Sequence, residues 1–121
     1  MRRTVLKTLF LAVLVVLINS VLITAVVADT AGEKLFLETC AECHQPDGRG
    51  IPDIYPALDG SEVVLGSGVD VALVLIIGRG EMPSFDGSIT SADMAAIINY
   101  VRNAWSNAGA TISAETIEAL R

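Results

Sequence analysis

Apolar positions along the chain fall into contrasting rhythms. Between Thr8 and Ala28 they are nearly continuous, broken only by Asn19, Ser20 and Thr24. Arg2, Arg3 and Lys7 precede that run, and no acidic residue occurs before Asp29. A positive start, an apolar stretch and small residues at its end form the pattern of an export signal. Val26-Val27-Ala28 suits cleavage after Ala28. The alternative is an uncleaved membrane anchor, since the 21 residues from Thr8 to Ala28 are enough to cross a bilayer as a helix. Its basic start would then stay in the cytoplasm. Both readings divide the chain into residues 1–28 and one domain over 29–121, and both place that domain in the periplasm or on the outer face of the cytoplasmic membrane.

Beyond Asp29 the rhythm becomes helical. Leu35, Phe36 and Thr39 recur at helical spacing, with Glu33, Lys34, Glu38 and Glu42 mostly opposite, which predicts a helix from Ala31 to about Cys43. Pro, Gly and Asp crowd residues 45–60, a loop. Ser61 to Leu65 reads as a short helical turn. Val69 to Ile77 reads as a buried helix stopped by Gly78, although its β-branched content also fits a buried strand. Residues 78–89 are loop again. Thr90 and Asp93 then offer a capping box. Met94, Ile97, Ile98, Val101 and Trp105 follow as one apolar stripe, predicting a helix that stops near Asn107 to Gly109. A short helix from Ser113 to Leu120 completes an all-α domain of three to five helices.

Charge changes the picture of partners. All 14 acidic residues lie at Asp29 or later, and three of the eight basic ones precede it, so residues 29–121 carry a formal charge of −9. Such a surface argues against nucleic acid and favours a protein partner with a basic docking face. It also serves to keep an exported domain soluble.

Two cysteines in an exported chain suggest a disulfide. Here they stand as Cys40-Ala41-Glu42-Cys43, followed by the only histidine, His44. C-x-x-C-H is the pattern of covalent haem attachment. Two thiols three residues apart on a helical turn can add to the vinyl groups on one haem edge, and the next residue then lies under the porphyrin to bind iron. A thioredoxin-like pair would need a preceding strand in a βαβ context, and a structural zinc site would need a fourth ligand. Both fit less well than one covalent haem c.

A second imidazole is unavailable as sixth ligand, because the chain has one histidine. The soft donors after residue 29 are Met82 and Met94. Met94 lies on the apolar stripe of the last long helix, the usual place of a core methionine. Met82 lies in Gly78-Arg79-Gly80-Glu81-Met82-Pro83, where glycines permit close approach and proline stiffens the backbone. Met82 is therefore the expected distal ligand, opposite His44. Iron closed on both faces has no open position for a substrate, so the site suits a carrier rather than an enzyme.

Over residues 31–121 the sequence resembles the class I cytochrome c family. Gly32-Glu33-Lys34-Leu35-Phe36 is similar to its first helix, in which a glycine and an aromatic pack against the last long helix, here at Tyr100. Tyr55-Pro56-Ala57-Leu58 resembles the loop whose proline carbonyl orients the proximal histidine, which implies that role for Pro56 toward His44. Leu58 and Phe85 would line the haem pocket. Met82-Pro83 matches the axial methionine segment of bacterial members. The lysine ring of mitochondrial-type members is absent, as is a middle-helix arginine near a haem propionate, for which Arg49 or Arg79 would have to substitute.

The resemblance implies a single-electron carrier in a respiratory or periplasmic chain, with a dehydrogenase, oxidase or reductase as redox partner. The alternative is a haem-relay subunit of a membrane dehydrogenase or terminal oxidase complex, held by residues 8–28. An enzyme or gas sensor with a labile sixth ligand is a further alternative.

Overall fold

The helical periodicity of residues 31–43 produces two helices rather than one. The computed structural model describes residues 30–121, so the expected signal or anchor over residues 1–28 lies outside the described part. Helix α1 covers residues 30–39. Cys40, with φ −117°, departs from the helical value of about −63° and becomes the N-cap of α2, Ala41–His44. The chain continues through α3 (Glu62–Leu65), α4 (Gly68–Ile77), α5 (Ser91–Val101) and α6 (Ala114–Glu118). Among the described residues extended pairing is confined to isolated bridges at Ile51–Tyr55 and Arg79–Met82. The domain is all-α, and residues 69–77 are helix, not strand.

Local chemistry explains the helix starts. Ser61, Ser67, Thr90 and Ser113 cap α3 to α6, each hydroxyl accepting a backbone N–H two or three residues on. Such caps contribute about 1 kcal/mol each. Thr90 Oγ1 also donates to Asp93 Oδ2 at 2.7 Å while accepting from the Asp93 N–H at 3.1 Å. Thr90 therefore caps the helix, with Asp93 taking its hydroxyl in an arrangement close to a capping box.

Two expectations need correction. The last long helix ends at Val101, well before Asn107. The Asn107 amide donates to the Val101 carbonyl at 2.8 Å, satisfying a helix-end acceptor that would otherwise need another turn. Trp105 lies beyond the helix with φ 57°. Helix α4 is also less buried than its composition suggests. Val71, Ala72 and Leu75 face the core, whereas Ile77 is 71% exposed.

The core consists of two clusters. One gathers Phe36, Ala41, Val64, Ile97 and Val101, joining α1, α2, α3 and the C-terminal half of α5. The other gathers Val71, Ala72, Leu75, Met94, Ala95, Ile98 and Ile117, joining α4, α5 and α6. Ile89 packs against both. Where α1 crosses α5, Gly32 lets the backbones touch: a Cβ there would collide with the Ala96 carbonyl and lie 2.8 Å from Tyr100 Cβ. Phe36 then meets Tyr100 and Trp105, each at 5.5 Å between ring centroids. The helix crossing implied by the resemblance is thus in place.

Candidate functional site

Helix α2 is a single turn that carries the motif. The His44 N–H donates to the Cys40 carbonyl at 3.0 Å and the Gln45 N–H to the Ala41 carbonyl at 3.0 Å. Cys40 and Cys43 are half-buried and not joined in a disulfide. His44 is only 8% exposed. Its loop folds back under it through backbone bonds from Gly50 N–H to the His44 carbonyl (2.9 Å) and from Leu58 N–H to the Gly48 carbonyl (2.7 Å). That course brings the Pro56 carbonyl to 2.9 Å from His44 Nδ1. A carbonyl oxygen can only accept, so Nδ1 carries the proton of this bond, and in the neutral ring Nε2 is then the nitrogen with the lone pair. The imidazole is thereby oriented, with Nε2 as the nitrogen that could bind a metal.

The thiols do not resemble a redox pair. Burial, and secondarily the neighbouring Cys43, push Cys40 up to about 11. A catalytic C-x-x-C cysteine is instead shifted downward so that its thiolate attacks. At neutral pH Cys40 is therefore a thiol. Tyr55 reaches Cys43, whose charge and hydrogen bond raise the phenol above its ordinary 10.0, and Glu42 and Glu81 add to the effect. Among the described residues no three His, Cys, Asp or Glu side chains gather into a metal-binding group of the kind zinc would need.

Met82 occupies a turn closed by reciprocal bonds with Arg79, 3.0 Å and 3.1 Å between backbone groups. Gly78 makes that turn possible. Its φ is 83°, and a Cβ there would stand 2.7 Å from the Met82 carbonyl oxygen. Beyond Pro83, the Phe85 N–H donates to the Leu75 carbonyl at 2.8 Å and Ser84 Oγ to the Ile76 carbonyl, pinning the loop to the end of α4. Half-buried Met82 and Phe85 pack on the α4–α5–α6 cluster, whereas Cys40 and Leu58 pack on the other. Met94 is fully buried in the core, as expected of filler.

The two arginines considered for propionates are both exposed, and Arg49 pairs loosely with Asp47 at 3.9 Å. The sequence reading missed Arg102, Asn107 and Arg121. Arg102 is 3% exposed and donates to the Ala110, Val64 and Gly66 carbonyls. One signal existed: Arg102 lies four residues after Ile98, on the apolar face. Asn107 joins Val101, Leu58 and Gly60. Arg121 binds the segment after Met82.

Unpaired thiols on one helical turn, an imidazole with its distal nitrogen free, and a thioether in a fixed loop suit haem iron. The residues fit the cofactor.

A helical domain with such a donor set is an electron-transfer domain of the cytochrome c class. The family model described as cytochrome c oxidase, cbb3-type, subunit III matches residues 27–101. The chain belongs to this cytochrome c family. It is 30% identical over 93 residues to cytochrome c-552 of Thermus thermophilus, covering 64% of this chain and 70% of that protein. It is 31% identical over 105 residues to the cytochrome c subunit of alcohol dehydrogenase (quinone) from Gluconobacter oxydans (strain 621H), covering 75% of this chain and 22% of the relative. The fructose dehydrogenase cytochrome subunit of Gluconobacter japonicus is 33% identical over 107 residues, with 76% and 22% covered. The chain thus spans about a fifth of the length of these dehydrogenase subunits.

Proposed function

We propose that residues 29–121 hold one covalent haem c and carry single electrons between redox proteins outside the cytoplasmic membrane. Cys40 and Cys43 are the thioether anchors, His44 is the proximal ligand and Met82 the distal one. The observation that carries this reading is the 2.9 Å contact of His44 Nδ1 with the Pro56 carbonyl, directly after two unpaired cysteines. The haem supplies an iron that cycles between ferric and ferrous states. The protein's part is to hold the imidazole in one tautomer, keep a soft thioether opposite it and exclude water; His/Met ligation raises the reduction potential. His44 and Met82 together would leave a bound iron no open position for a substrate, which suits a carrier.

Retention of haem through denaturation tests the attachment. Protein matured with the haem-attachment machinery should have the mass of the polypeptide plus one haem. The Cys40→Ala/Cys43→Ala double variant should lose the haem on denaturation. Release of haem from the wild-type protein in denaturant would overturn the reading.

A second reading, a relay subunit fixed in a membrane complex, is favoured by the relatives named as dehydrogenase cytochrome subunits. An uncleaved anchor over residues 8–28 would favour it. Among the described residues no helix is long and apolar enough to cross a membrane. Intact mass separates the two readings: a membrane-bound species that keeps residues 1–28 supports the relay, and a soluble species beginning near Asp29 supports the free carrier.

A further inference from the structure

The distal segment is fastened by one side chain from the far end of the sequence. Arg121 Nε lies 2.7 Å from Asp86 Oδ1, and its Nη2 donates to the Ile89 carbonyl at 2.7 Å. Its Nη1 donates to Ser91 Oγ at 3.0 Å, and Ser91 in turn donates to Glu118 Oε2. One guanidinium therefore ties together residues 86, 89 and 91. Between them the Phe85 carbonyl accepts from Ser88 N–H (3.1 Å) and Ile89 N–H (3.2 Å), forming a turn that starts three residues after Met82. The Arg121 side chain is 18% exposed and that of Asp86 51%, so the ion pair and the Ile89 bond are open to water while the bond to Ser91 is partly buried. Ile117 and Leu120 belong to the same packing group as Met82 and Phe85, so residues 113–121 also support the segment with apolar contact.

We propose that Arg121 is the positioning residue that keeps the Met82 segment closed, and that it sets how readily another small ligand takes the distal place. The inference rests on Met82 being the distal ligand. A competitor binds only the fraction of molecules in which that segment has opened, so its apparent affinity reports that fraction.

Imidazole titration of the ferric holoprotein, followed in the visible spectrum, tests this. Arg121→Ala should bind imidazole about tenfold more tightly than wild type, the change expected when the open population rises by that factor. Arg121→Lys should recover part of the difference, since a single ammonium replaces the fork. Asp86→Ala should shift affinity in the same direction by less. Val64→Ala, in the other core cluster, should lower the melting temperature without changing imidazole affinity. Wild-type affinity in Arg121→Ala overturns the proposal, and so does a shift of equal size in Val64→Ala. If Arg121→Ala does not fold, wild-type affinity in Asp86→Ala overturns it. Met82→Ala keeps the underlying reading separate. If its ferric spectrum and imidazole affinity match wild type, Met82 is not the ligand; if they differ while Arg121→Ala behaves as wild type, only the role of Arg121 fails.

Discussion

The two sides of the candidate site are built in different ways. The His44 side takes its shape from neighbours in sequence: α1, α2 and the loop to Leu58 are tied by backbone bonds, the orienting acceptor is twelve residues from the imidazole, and Trp105, Ser106 and Asn107 then fasten the loop from outside. The Met82 side has a locally closed turn, but its loop rests on α4, α5 and α6 and is fastened by Arg121. On the first side local backbone bonds set where the imidazole meets its acceptor, and buried side chains hold that frame together. On the second side one guanidinium from the end of the described chain adds to the packing.

Removing the aromatic centre of the first side should have the largest effect on stability. Phe36 is fully buried between Tyr100 and Trp105, and Phe36→Ala should cost about 3–5 kcal/mol in denaturant unfolding. Asn107→Ala should come next. It leaves the Val101 and Leu58 carbonyls and the Gly60 N–H without their partner, at about 2–3 kcal/mol by the same measurement.

Pro56→Ala should do much less, because the bond to His44 comes from a backbone carbonyl that alanine also has. We expect about 1 kcal/mol or less and an unchanged ferric spectrum. A large spectral change would mean that the proline ring, not the carbonyl, orients His44.

The smallest effect concerns acid. Asp59 accepts from the Ser106 hydroxyl and, at 3.0 Å, from the Ser106 N–H, and these bonds hold its carboxyl below the ordinary 3.8. A lowered folded value stabilises the protein above the unfolded value, and the contribution disappears as pH falls through the folded one. Thermal unfolding from neutral pH downward should show this loss, and Asp59→Asn should flatten it.

The same contrast explains what could be read from the sequence. Spacing exposed the motif, the Met82 loop, the Thr90 cap and the apolar stripes of α1 and α5, and the family resemblance implied that Gly32 and Phe36 meet Tyr100. The spacing signals depend on residues a few positions apart or on strict helical periodicity. The break at Cys40 was hidden because Leu35, Phe36 and Thr39 have the same spacing whether or not the helix continues. The early end of α5 was hidden because it depends on the Asn107 amide reaching back to Val101. Trp105 does join Phe36 and Tyr100, but from a loop rather than from the helix that the stripe implied. The roles of Arg102 and Arg121 stayed hidden because only the folded chain brings carbonyls from distant segments around them.

The most direct test is the ferric absorption spectrum of wild-type protein and Met82→Ala, both matured with covalent haem. The account predicts a methionine–iron charge-transfer band in the wild type that is absent from Met82→Ala. A wild-type spectrum without that band, or one identical in the two proteins, would contradict it.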